Sequence, residues 1–186
     1  MALFQCNTSN VHEMKFGRPQ TLLNDAERPN GVIVNLGDTQ EAKARELDHC
    51  HAISEGTMTS VEGKFVVVAP EINAQQYRTI DGQIGKFVLE AGETYSAYML
   101  NKLDRLEYSD AYFDEVPAVG SKVNVKAGSG LAPRFTANGE ALRVVSTTEL
   151  WMPVMLQANT ASAQGAGNDA KLMPASVTMV KLEVVK

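Results

Sequence analysis

From Gly63 onward the chain breaks into short runs of β-favouring residues separated by turn residues, and this rhythm constrains the fold more than any other feature. The run 64–69 is dominated by Phe65, Val66, Val67 and Val68, which suits a strand buried on both faces. Asp81-Gly82 marks a turn, 86–89 a strand, Ala91-Gly92 a second turn, and 94–100 another strand. Val123 and Val125 alternate with polar neighbours over 122–126, and the run 141–147 is followed closely by 150–156. In the last run, 176–185, Val177 and Met179 share one parity while Val180, Leu182 and Val184 take the other, a slip that a bulge near Met179 would reconcile. About seven short strands with hardly any helix predict a mainly β fold, a small antiparallel barrel or sandwich. The segment 157–175, rich in Ala, Ser, Gly, Asn and Gln, reads as an exposed loop between the last two strands, because it lacks the apolar surface to order itself.

Residues 1–62 read differently. Asn, Pro and Gly crowd the stretch up to Leu36 without a sustained period, so an extended N-terminal arm is expected there, with 63–186 as the β-rich body. Val32 to Leu36, after an Asn30-Gly31 turn signal, is the one apolar interruption. Asp38 with Glu41 three residues later can form a capping box, so 39–51 predicts at most one short helix, with an extended segment as the alternative.

A chain of 186 residues holding 44% hydrophobic and 21% charged residues has the balance of an ordinary globular protein. Its net charge of -5 provides no field for phosphate polyanions or acidic lipids, so neither nucleic acid nor membrane is an expected partner. No apolar run approaches the roughly 20 residues of a membrane span, and the first residues lack the basic and apolar regions of a secretory signal. With only Cys6 and Cys50, reduced thiols and synthesis in a cytosol are the simplest expectation.

Catalytic chemistry finds little purchase. The three histidines, His12, His49 and His51, all precede the β-rich region. Asp48-His49-Cys50-His51 contains metal-binding residue types, but adjacent ligands lack the spacing that wraps a tetrahedral ion, so no metal or cofactor is expected. Gly128-Ser129-Gly130 lacks the spacing of a nucleophile elbow, and the two residues between Gly82 and Gly85-Lys86 are too few for a phosphate loop. The expectation is a protein that is not an enzyme. The segment 108–115 sets Tyr108, Tyr112 and Phe113 among three carboxylates, which suits a rim burying rings against a partner, or rings closing the domain's own core. With Phe4 and Phe16 of the arm, these are the candidate interaction residues.

Residues 87–98 (Phe-Val-Leu-Glu-Ala-Gly-Glu-Thr-Tyr-Ser-Ala-Tyr), the Pro117-Ala118-Val119-Gly120 turn leading into 122–125, and the terminal Lys-Leu-Glu-Val-Val-Lys together resemble the capsid decoration, or cement, proteins of tailed bacteriophages. The resemblance spans about 85–186 and implies a β-rich body on the outer surface of the virion, often a trimer, that clamps subunits of the major capsid protein. It implies no catalytic residue. A phage tail or connector component and an OB-like barrel binding a ligand or nucleic acid are the competing readings, and a metal-dependent enzyme built on the histidines ranks last.

Overall fold

The computed structural model describes residues 4–13, 19–41, 49–69, 88–128, 130–156 and 171–186. The chain is mainly β, built as a closed five-stranded barrel with its own apolar interior and a six-stranded sheet that shares a second, larger core with one barrel wall.

The barrel runs in the order β2 (Gln20–Leu23), β5 (His49–Ser54), β4 (Ile33–Glu41), β6 (Phe65–Val68) and β8 (Thr94–Met99) before closing on β2. Four of its contacts are antiparallel, and closure uses one parallel contact, Leu22 with His51 and Leu23 with Ala52. The sheet is antiparallel throughout, in the order β1 (Cys6–Asn10), β9 (Arg105–Ser109), β13 (Lys171–Val184), β12 (Leu142–Leu156), β10 (Lys122–Val125) and β11 (Phe135–Ala137). A two-residue ladder joins β3 (Arg28–Pro29) to β7 (Val88–Leu89).

The valine run explains how the two bodies fuse. Val67 fills the barrel interior beside Leu22, Val34 and Ala97, whereas Val66 on the opposite face packs into the second core with Leu106, Tyr108, Val180 and Leu182 of the sheet. Ile33 of β4 joins Val66 on that outer side while Val32 and Val34 point inward. One barrel wall is therefore buried on both faces, as the unbroken apolar run predicts.

The N-terminal arm is corrected by the structure. Residues 6–54 supply β1 to the sheet and β2, β4 and β5 to the barrel, so the first third of the chain is part of the body. Its polar text is misleading because β1 is a sheet edge that buries only Thr8, and because two asparagines act as buried backbone substitutes. Asn30 exchanges two 3.0 Å hydrogen bonds with the Ala69 main chain, and Asn24 donates to the carbonyls of Leu89 and Glu90. Gly31 turns the chain at φ +82°, where a Cβ would lie 2.6 Å from the Cys6 sulfur, so no larger residue fits.

Of the helix expected at 39–51, 39–41 lie instead within β4 with Asp38, and 49–51 open β5, so the extended alternative holds at both ends, while 42–48 lie outside the described residues. Among the described residues the helical element with assigned bounds is a 3-10 turn, Asp110–Tyr112. The runs 141–147 and 150–156 form one strand, β12. The bulge lies on that strand between Val144 and Ser146, while Met179 stays in register with both Thr148 and Ser109. Of the expected loop 157–175, the last five residues belong to β13, and 157–170 lie outside the described residues, as does the Asp81-Gly82 turn.

Candidate interaction surface

Tyr108, Tyr112, Phe113 and Phe4 are all buried, so the expected aromatic rim is instead part of the core. The 3-10 turn is the physical reason: it carries the chain from β9 so that Tyr108 and Tyr112 come within 4.8 Å of each other, ring centre to ring centre. Phe4 meets Tyr112 edge-on at 5.1 Å, and Phe113 stacks on Phe135 at 5.0 Å. Each phenol has a main-chain acceptor across the seam, Tyr108 donating to Gly31 at 2.7 Å and Tyr112 to Asn30. Burial, and then the neighbouring Cys6, holds the Tyr108 hydroxyl well above its ordinary pKa, so it remains a neutral donor. Asp114 faces outward and pairs with Lys126. Phe16 lies outside the described residues.

The main buried polar cluster joins residues far apart in sequence. Glu55, just after β5, accepts from Arg28 through one carboxylate oxygen and from Arg134 Nη1 through the other at 3.0 Å. Arg28 also donates to Asn24 Oδ1 at 2.6 Å, and Arg134 to the Gly130 carbonyl at 3.0 Å. Burial lowers the Arg134 pKa, and the Glu55 charge and hydrogen bond oppose that shift. Two guanidiniums on one carboxylate tie the barrel to the loop that enters β11; the arrangement is a structural lock.

Nδ1 of His51 lies 3.2 Å from the Gly37 carbonyl, the His12 main chain donates to Asp104, and the described part of His49 is its backbone in β5. Among the described residues no group of three His, Cys, Asp or Glu side chains is placed to hold a metal ion.

The exposed feature with the geometry of a binding element is the β12–β13 hairpin. Their ladder runs unbroken from Ser146 paired with Lys181 to Leu156 paired with Lys171. The neighbours stop much earlier: β9 pairs with β13 only as far as Met179, and β10 with β12 only at Leu142 and Arg143. Among the described residues, the ladder from Glu149 and Thr178 outward is a two-stranded ribbon of eight residue pairs, about 25 Å long at roughly 3.3 Å per residue. Trp151, the chain's single tryptophan, is 66% exposed on it, next to Leu150 at 39%. Pro153 sits directly opposite Pro174. Two prolines at one level remove an N–H from each strand, which disfavours the addition of further strands there.

The sequence shows both strands of this ribbon but gives no sign that they outrun their neighbours; the lone Trp151 within a strand is the one signal that could have singled it out. No family model matches the chain, and no curated protein and no solved structure matches it either.

Proposed function

We propose that this protein is a non-enzymatic virion component that decorates and stabilises the capsid of a tailed phage, attaching to the major capsid protein on its outer surface. The projecting β12–β13 ribbon carries this reading. A two-stranded hairpin is at best marginally stable by itself in water, so one about 25 Å long with an exposed tryptophan gains most when it is laid against a larger surface. The resemblance of residues 85–186 to capsid decoration proteins supports the same partner.

The closed barrel is the feature that favours an OB-like binding module. Its interior, however, is filled by Leu22, Val34, Val67, Leu89 and Ala97, and its exposed loops at 25–27 and 90–93 carry Asp25, Glu27, Glu90 and Glu93, which repel phosphate. Locating the protein on purified particles by immunogold labelling tests the proposal. Labelling over the head is the expected result. Labelling at the tail transfers the protein to the tail or connector class, and absence from particles overturns both.

A further inference from the structure

A charged row crosses the outer face of the sheet, away from the shared core. Arg105 on β9 pairs in register with Glu183 on β13, Glu183 with Arg143 on β12, and Arg143 with Lys122 on β10. Residues directly opposite in an antiparallel ladder share a face, so these four side chains form one line, about 15 Å long at roughly 4.8 Å per strand gap. Glu183 is held between Arg105 at 3.0 Å and Arg143 at 2.5 Å and is almost covered by them, while both arginines and Lys122 are exposed. One carboxylate against three cations leaves the row positive. The adjoining pairs, Glu107 with Lys181 and, near Lys122, Glu140 with Lys186, are each neutral and do not offset it.

The rest of the molecule has the opposite sign. Residues 1–99 contain the whole net charge of -5, whereas 100–186 balance nine acidic against nine basic residues. Asn24 stitches two barrel loops together: its main chain bonds to Glu93 and Gly92, and its side chain to Leu89 and Glu90. That stitching brings Asp25, Glu27, Glu90 and Glu93 to one exposed site on the barrel. Among the described residues, Asp25 alone of the four pairs with a cation, Arg28 at 2.7 Å.

We propose that the basic row on the sheet of one copy docks the acidic barrel loops of a second copy, in a head-to-tail contact. The two surfaces are different patches of one chain, so the contact is heterologous and propagates until a ring closes or a lattice limits it. Exposed ion pairs contribute only about 0.2 to 1 kcal/mol each, so the contact is weak and salt-sensitive in solution and gains strength when copies are held side by side on a larger surface. This inference is independent of the capsid reading.

The test is sedimentation equilibrium of the full-length protein at about 0.01 M and about 1 M salt, between which the screening length falls from about 30 Å to about 3 Å. Self-association at low salt and monomer at high salt are expected. Lys122→Glu, an exposed position, and separately Glu90→Lys with Glu93→Lys, each weaken association at least about tenfold, and mixing the two variants restores it because each then presents what the other lacks. Arg143→Gln, which leaves Arg105 on Glu183, is the second sheet variant if Lys122→Glu folds poorly. A monomer at both salts, association that ignores salt, or variants that associate like the parent would overturn the proposal.

Discussion

Glu55 holds two buried guanidiniums from opposite halves of the chain; its removal leaves Arg134 without a charge partner among the described residues, while Arg28 keeps Asp25 and Asn24. Glu55→Ala is expected to lower unfolding free energy by about 3 to 5 kcal/mol in urea titration, the cost of leaving a buried ion without its partner. A loss below about 1 kcal/mol would show that the arginines find other acceptors. Glu183 predicts a pH dependence. Burial pushes its carboxyl up, but hydrogen bonds from Arg143 and Arg105 outweigh that effect and hold it below the usual range. A carboxyl depressed in the folded state contributes stability above its unfolded pKa, about 4.3, and loses that contribution as pH falls through the lower folded value. Melting temperature should therefore fall in this acid window, and Glu183→Gln should flatten the fall; an unchanged acid limb would contradict the assignment. None of these couplings was legible in the sequence. Arg28, Glu55 and Arg134 have no common spacing, and the aromatic residues at 108–113 were visible while their direction was not, because a three-residue 3-10 turn decides it.

At the scale of elements, strands that are apolar on a buried face could be read directly: 65–68, 94–99 and 122–125 lie where their valines and aromatics and the turns between them placed them. Strands near the N-terminus could not. β1 is Cys-Asn-Thr-Ser-Asn at a sheet edge, and its hydrogen bonds to β9 rather than an apolar stripe hold it. The strand β12 reads as two runs because the polar Thr148 and Glu149 interrupt its apolar residues. Its exposed tryptophan gives the sharpest element-level prediction. Trp151→Ala should leave monomer stability within about 0.5 kcal/mol, as for an exposed side chain, while weakening binding to the partner surface. A large drop in melting temperature would place Trp151 in the protein's own packing.

For the whole molecule, the barrel and the sheet are inseparable because β4 and β6 are buried on both faces, one by each body. Deleting residues 1–35 removes β1, β2, β3 and the start of β4, which opens both the barrel and the sheet edge. The truncated chain should therefore lose cooperative unfolding by circular dichroism; a retained sharp transition would restore the idea of a detachable arm. The ribbon, by contrast, leaves the body beyond the last pairing with β9, so it can be shortened while the core stays whole. Co-sedimentation with undecorated capsids, comparing the full chain with one in which 151–176 is replaced by a tight turn that spares the buried Val177, tests the central claim most directly. The account predicts that the shortened protein folds and melts like the parent but no longer sediments with capsids, whereas equal binding by the two proteins would contradict it.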